Sequence, residues 1–364
     1  MPDDFDILSS VKESTTEIAK CPTCGAIMIY SPRKRALLCE YCGVTKDIDL
    51  SKIVPEQPFE LLLNSSSLKW GNETHTFSCN NCGAKTIFGK GEVSKKCPFC
   101  GTTNVVESNE IPGLKPNGLV PFAIEKSDAS ENIKVWAKKK FFAPKAFKQT
   151  AEPEELSPIY TPSFSFDADT YSTYRGRLGE YYYETVRTSD GKTKEVRKTS
   201  YFSISGSIEN EFDDILIRAS SRISQKYLSD LGDFNSNNSN EYANEFLYGY
   251  SAETSERDGL ECFNDADSII NASIKRSILS KYDYDVVDYL NVDTEYTNRT
   301  FKYLLLPIYI GHCDYKQKLY NVFVNGFNGR VTGKTPISII KVAIATLIGL
   351  AIFALLLVLF YYYD

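Results

Sequence analysis

The stretches that decide how the N-terminal third of this chain folds are CPTCG at 21–25 with CEYCG at 39–43, and CNNCG at 79–83 with CPFCG at 97–101. Both pairs have the spacing C-x2-C-x14-C-x2-C. Cys21, Cys24, Cys39 and Cys42 form one set of four thiols, and Cys79, Cys82, Cys97 and Cys100 form the other. Each C-x-x-C-G knuckle offers two soft ligands from one tight turn, and the glycine after it lets the backbone double back. Fourteen intervening residues suit a short hairpin that brings two knuckles face to face. The sequence therefore predicts two closed four-cysteine zinc sites, one Zn2+ in each, in ribbons over 19–48 and 75–106. Zinc is favoured over iron–sulfur ligation. A disulfide framework suits a reducing compartment poorly, and no βαβ pattern surrounds either pair to suggest a redox motif. Segments of this size cannot bury enough apolar surface to fold alone, and the metal supplies the missing free energy. His75, four residues before Cys79, is not needed where four cysteines already close the site.

Charge argues about what such ribbons touch. The chain has 364 residues and a net charge of −6. Lys+Arg and Asp+Glu balance over residues 1–106, and four thiolates with one Zn2+ leave −2 at each site. The metallated unit is then acidic, which opposes strong binding to phosphate backbones. A protein partner is the favoured expectation. Nucleic acid is the alternative, with Arg33, Lys34, Arg35, Lys95 and Lys96 as the candidate phosphate ligands.

The other end carries a different signal. From Val342 to Tyr363 the sequence VAIATLIGLAIFALLLVLFYYY holds no charge. At ~1.5 Å per residue it spans about 33 Å, matching a hydrocarbon core of roughly 30 Å. Tyr361, Tyr362 and Tyr363 form an aromatic belt at one end, while Arg330, Lys334 and Lys341 lie before the other. The positive-inside rule then keeps the N-terminal bulk in the cytoplasm. The opening MPDDFDILSS has no apolar stretch of the kind a secretory signal needs. The expectation is a tail-anchored, single-pass protein of the cell membrane.

Between these ends the pattern predicts an α+β class: a polar leader at 1–18, the two ribbons with a connector at 49–74, a linker at 107–118, a sheet-rich antiparallel body at 119–334, and a transmembrane helix at 338–363. Three helices are expected in the body. The first opens at Asp128 with Glu131 as a capping box and carries Ile133, Trp136 and Ala137 on one side, with Lys134, Lys138, Lys139 and Lys140 on the other. The second is marked by Ala219, Ile223, Tyr227 and Leu231, and the third by Ala266, Ile270, Ile274 and Ile278. Strands are expected at 119–124, 160–175, 180–188, 194–207, 284–296, 301–311 and 318–324, with turns at 189–192 and at Asn325-Gly326. Two related helix-plus-hairpin modules, with Pro162 and Pro307 in corresponding places, account for the similar runs at 159–169 and 305–314, and a chance likeness does so nearly as well.

No catalytic constellation emerges, and the expectation is a non-enzyme. Gly191-Lys192-Thr193 and Gly333-Lys334-Thr335 both lack the first glycine that a phosphate loop requires. Asp167 and Asp169, two apart on a strand, and the Asp213-Asp214 pair suggest acid–base or cation chemistry, but solvated strand faces and turns account for them more simply. Cys262, Cys313 and His312 read as core residues.

Paired ribbons, an α+β body and a terminal apolar helix resemble a family of bacterial zinc-ribbon membrane proteins. Members often carry the label "primosomal protein N′ (replication factor Y), superfamily II helicase". The resemblance rests on the ribbons and on GLVPFAI at 118–124, WAKKKFFAP at 136–144 and YTPSFSFDADT at 160–170. It continues through YRGRLGEYYY at 174–183, SGSIENEFDDILIRAS at 205–220, FKYLLLP at 301–307 and NGFNGRVTG at 325–333. It implies zinc ribbons of the transcription-factor-IIB type, a membrane anchor and no established activity. Helicase activity does not carry over, because the phosphate loop and the other motor elements are missing.

Overall fold

The computed structural model describes residues 20–63, 75–88, 97–100, 102, 105–108, 115–151, 153, 156–187, 189 and 191–363. The leader at 1–18 and the candidate contacts Lys95 and Lys96 lie outside these residues. The first ribbon is an antiparallel sheet of β1 (Ile29–Ser31), β2 (Ala36–Leu38) and β3 (Thr45–Asp47). After β4 (Gln57–Pro58) and one helical turn, α1 (Glu60–Leu63), comes the second ribbon. It comprises β5 (His75–Cys79), β6 (Lys85–Phe88) and β7 (Val105–Ser108), with β5 between the other two.

Two units of the same order, β-α-β-β, follow. The first is β8 (Gly118–Leu119), α2 (Lys126–Lys139) with the short α3 (Lys145–Thr150), then β9 (Leu156–Arg187) and β10 (Thr193–Arg218). A connecting region holds α4 (Gln225–Asp230) and β11 (Asn240–Glu241). The second unit is β12 (Ser251–Glu253), α5 (Gly259–Leu279), β13 (Val286–Tyr315) and β14 (Lys318–Asn325), after which come β15 (Val331–Gly333) and α6 (Ile339–Tyr363).

The two units interlock about the antiparallel pair β9–β13, where Pro162 faces Leu305 and Pro307 faces Tyr160. Around each proline the free edge of its strand is covered in the same register. A short parallel strand pairs three and two residues before the proline: β12 at Ile159 and Tyr160, β8 at Leu304 and Leu305. The antiparallel hairpin partner begins at the residue after it: β10 at Ser163, β14 at Ile308. Proline has no N–H, and here each one sits where its edge changes partner, so no ladder bond is lost. Both keep the carbonyl bond: Pro162 accepts from the Ala219 N–H at 3.0 Å and Pro307 from that of Gly326 at 2.8 Å.

The expected strands at 160–175 and 180–188 are one continuous strand, as are those at 284–296 and 301–311. Gly176 and Gly179 lie in the first expected gap and Asn298 in the second. The glycines serve close packing instead. A Cβ on Gly176 would lie 2.9 Å from the Tyr289 carbonyl oxygen, and one on Gly179 would lie 2.6 Å from the Thr199 methyl. Asn298 and Asp214 have left-handed backbones, φ +50° and +54°, at bulges in β13 and β10 that flank the same stretch of β9. Extra residues on both neighbours increase the local twist. At ~3.3 Å per residue, β9 runs for about 100 Å, and beyond Gly179 it pairs with β10 alone.

The third expected helix, α5, covers one face of this three-stranded ribbon. Cys262, Ala266, Ile270, Ile274 and Ile278 recur every four residues, all buried, against Phe164, Phe166, Tyr174, Leu178 and Ile204. Asp258 caps it, accepting from the Glu261 N–H at 2.8 Å.

The other elements differ in part from expectation. Of the strand expected at 119–124 only Gly118–Leu119 pairs as β8, because Pro121 interrupts the ladder. The second helix is only α4. Ala219 is held extended by the Pro162 carbonyl, and Ser224 caps the helix by accepting from the Tyr227 N–H at 3.2 Å. In α2, Asp128 lies inside the first turn and the cap position is Glu125, whose carboxylate turns outward to the first ribbon.

That ribbon is built into the body. Tyr30, fully buried, donates its hydroxyl to the Phe122 carbonyl at 3.1 Å, and its ring meets Phe246 edge-on at 5.4 Å. Cys21, Met28, Leu37 and Cys39 join one apolar core with Leu119, Phe122, Tyr160, Tyr309 and the buried face of α2. The second ribbon joins the main sheet, since β6 pairs with β12. The last helix, α6, is long and apolar enough to cross a membrane, with a mean hydropathy of 3.0 and none of its most apolar stretch buried.

Burying an isoleucine stabilises a fold by about 1.5–3 kcal/mol, and emptying its site costs more. Ile274→Ala should therefore destabilise the protein by about 2–5 kcal/mol, read as a lower urea midpoint by circular dichroism. An unchanged midpoint would mean that α5 does not seal the ribbon.

Candidate metal centres

Each knuckle closes locally. The Gly25 N–H donates to the Cys21 carbonyl at 2.9 Å, that of Gly43 to Cys39 at 2.8 Å and that of Gly83 to Cys79 at 2.8 Å. These glycines have φ of +73°, +77° and +71°, a conformation that a side chain would strain. The N–H of each leading cysteine donates back across its turn: Cys21 to Ala26, Cys39 to Val44, Cys79 to Ala84 and Cys97 to Thr102.

The paired knuckles then face each other. In the first quartet Sγ–Sγ distances are 3.3 Å for Cys21–Cys42, 3.5 Å for Cys24–Cys39 and 3.6 Å for Cys24–Cys42. In the second they are 3.7 Å for Cys79–Cys100 and 3.6 Å for Cys82–Cys97. All four sulfurs of each quartet lie within 4.8 Å of one another. A tetrahedral ion with Zn–S bonds of about 2.3 Å sets its sulfurs about 3.8 Å apart, whereas a disulfide needs about 2.05 Å. The spacing fits a shared ion and excludes S–S bonds. In each knuckle of the first ribbon the leading thiol is buried and the following one is exposed.

The thiols influence one another. Burial raises Cys21, but the amides of Cys24 and Thr23 and the Cys42 thiol bring it down to about 6. The Val44 amide lowers Cys42, but its neighbour Cys21 and burial carry it up to about 12. In the second quartet burial raises Cys97, whereas Cys100, despite burial, is drawn down to about 7 by the Thr102 amide and the Asn81 side chain. Four thiolates this close repel, and a divalent cation is what lets all of them ionise.

The other candidates fall in separate places. Arg33, Lys34 and Arg35 are exposed at the β1–β2 turn, which leans on the start of α2. The Arg33 N–H donates to Glu125 Oε1 at 3.2 Å, and its guanidinium lies 3.9 Å from Asp128. Two carboxylates therefore sit beside this basic tip. Cys262 and Cys313 are buried, and burial pushes their thiols up to about 12 and about 11. His312 bonds to Asn321 through Nδ1 at 3.1 Å. Gly191 occupies the β9–β10 turn and Gly333 ends β15, so neither near-miss glycine opens a helix as a phosphate loop must.

Asp167 and Asp169 part company. The Asp169 carboxylate accepts from Asn298 Nδ2 at 2.7 Å. Asp167 gathers with Asp213 and Asp214, their oxygens within 4.8 Å. A cation is already present among these acids, because the buried Lys302 ammonium lies 3.3 Å from Asp214 and 3.5 Å from Glu56. Burial, reinforced by Glu56 against the Asp214 amide and Lys302, pushes Asp167 up to about 7. The group is an ion network that ties the segment before β4 to β9, β10 and β13.

Sequence reading missed Glu56, Lys302 and Glu125, whose partners lie far away along the chain, and it missed Glu253. Glu253 is buried on β12, accepts from the Ser220 hydroxyl at 2.5 Å and leaves its other oxygen without a partner among the described residues. Burial pushes it up to about 8.

No family model and no solved structure matches the chain. The chain is similar to an uncharacterized protein, YdjG of Bacillus subtilis (strain 168), at 25% identity over 326 residues, covering 89% of this chain and 91% of that protein. A match of that length extends well beyond the cysteine quartets into the body.

Two tests follow from these sites. Elemental analysis should find two zinc ions per chain. Cys24→Ser or Cys82→Ser, each altering a ligand near the surface, should reduce this to one, and wild-type stoichiometry in both variants would exclude these ligands. Glu253 gives a pH signature. An acid whose pKa rises from about 4.3 unfolded to about 8 folded contributes stability below the lower value and loses it as pH climbs through the upper. Glu253→Gln cannot ionise and keeps an acceptor for Ser220. Its urea midpoint should gain on the wild type between about pH 5 and pH 9, whereas parallel curves would show that Glu253 is not held neutral.

Proposed function

We propose that this protein is a membrane-anchored zinc-ribbon protein of the bacterial family it resembles, with its bulk on the cytoplasmic side and its ribbons docking a protein partner near the bilayer. The observation that carries this reading is the joining of two four-cysteine centres and one exposed apolar helix in a single fold. A centre closed by four thiolates offers a metal no open coordination position, so its role is to hold shape, and binding rather than catalysis is the function. The docking feature is Tyr41. It stands between Cys39 and Cys42, is 88% exposed and is presented on a turn that the metal stiffens. Rigid aromatic side chains of this kind dominate protein interfaces.

Nucleic acid is the competing partner. Glu125 and Asp128 beside Arg33 weaken that reading by offsetting the charge of the basic tip.

Solubilised full-length protein used as bait should retain a partner that Tyr41→Ser loses while its zinc content stays the same. Equal capture by both would remove the ribbon from the interface. A gel-shift series with DNA and RNA should show no binding at low salt, and binding that falls steeply as salt rises would establish the nucleic-acid reading instead.

A further inference from the structure

The corner between α2 and α3 is clamped to the foot of α6. The Ser338 N–H donates to the Phe142 carbonyl at 2.9 Å. The Lys341 ammonium donates to the carbonyls of Phe141 at 3.0 Å and Ala143 at 2.7 Å. Lys341 is the last charged residue before the 22 uncharged residues of the apolar helix. Wherever that helix enters a bilayer, this corner sits at headgroup level.

Its composition suits that place. From Asn132 to Ala151 there are six lysines and no acidic residue, in a chain whose net charge is −6. Lys138, Lys139, Lys140 and Lys145 are exposed, and Lys145 and Lys148 lie close enough to Lys341 to repel it. Among the described residues none of the ammonium groups of Lys138, Lys139, Lys140, Lys145 and Lys148 pairs with a carboxylate. Between the two arms, Phe141 and Phe142 meet edge-on at 5.1 Å and stand 69% and 45% exposed. Trp136 lies one turn back, with the Lys140 ammonium 4.8 Å from its ring centre.

We infer that the α2–α3 corner is a second membrane-binding element that takes anionic phospholipid headgroups on its lysines and sets Phe141 and Phe142 into the interface. The inference rests on the reading of α6 as a membrane span and adds a headgroup preference to it. Clustered lysines beside a span favour anionic lipid by about fivefold for each lysine near the surface. The indole of Trp136, with its polar N–H edge, settles at the same depth, and phenylalanines beside a lysine-rich face bury into the boundary between headgroups and acyl chains. A docking protein would need carboxylates reaching into the headgroup layer, whereas an anionic leaflet presents phosphates there already.

The chain has two tryptophans, so Trp70→Phe leaves Trp136 as the only one. This full-length protein would be reconstituted into vesicles of phosphatidylcholine alone or with about one-third phosphatidylglycerol, each containing brominated lipid as a quencher. Flotation would be scored alongside Trp136 quenching. The expected result is flotation with both vesicles and at least about twofold deeper quenching in the anionic ones, lost near 1 M salt, where screening acts within about 3 Å. The combined variant Lys138→Gln, Lys139→Gln, Lys140→Gln and Lys145→Gln should float equally but lose the difference. Flotation with equal quenching in both vesicles, or a difference that survives the four substitutions, overturns this inference alone. A chain that floats with neither vesicle overturns the membrane span and this inference with it.

Discussion

The antiparallel pairing of β9 with β13 is the constraint on which the rest of the molecule depends. It aligns Pro162 opposite Leu305 and Pro307 opposite Tyr160, and so fixes where each outer edge must change partner. The short strands β8 and β12 come from the two different units, and each is captured by the long strand of the other. Neither unit completes its sheet without its counterpart. A slip of one residue would put both prolines where a donor is required and would turn the buried face outward.

The metal ribbons attach to this frame in two ways. The second extends the sheet through backbone pairing of β6 with β12, and the first is held by side chains, with Tyr30 inserted among Phe122, Phe246 and Tyr250. Three-residue strands such as β1 and β2 are marginal alone. The aromatic core on one side supplies what the strands lack, and a metal held by the four thiols would add to it from the other. Because Cys21 and Cys39 belong to the same apolar cluster as Ile133 and Ala137 of α2, the first ribbon and the helix that reaches the foot of α6 share one packed interior.

What the sequence made legible was local. A knuckle closes within five residues and a hairpin joins two of them, so the cysteine spacing alone pointed to the quartets. In α5 the repeat from Ala266 to Ile278 was readable because only one face of the helix is buried. Misreadings arose where a residue type has two physical uses. Gly176 and Gly179 resemble turn residues but serve close packing inside a strand. Ala219 and Ile223 have helical spacing, yet Ala219 continues a ladder and Ile223 packs beside Phe234 and Leu228. The Glu56–Lys302–Asp214 network and the Glu125 bridge to Arg33 join residues that only the folded topology brings together, and no local pattern encodes them.

The unequal burial of the two thiols in each knuckle of the first ribbon sets the order in which that centre would come apart. Cys21 and Cys39 face the core, whereas Cys24 and Cys42 face water. A proton, an oxidant or a competing chelator meets the outer pair first, while the inner pair still grips the ion. An ion held there would be released from the solvent side first. The two outer sulfurs would then limit how long such an ion stays, and the inner two would hold it in place for recapture.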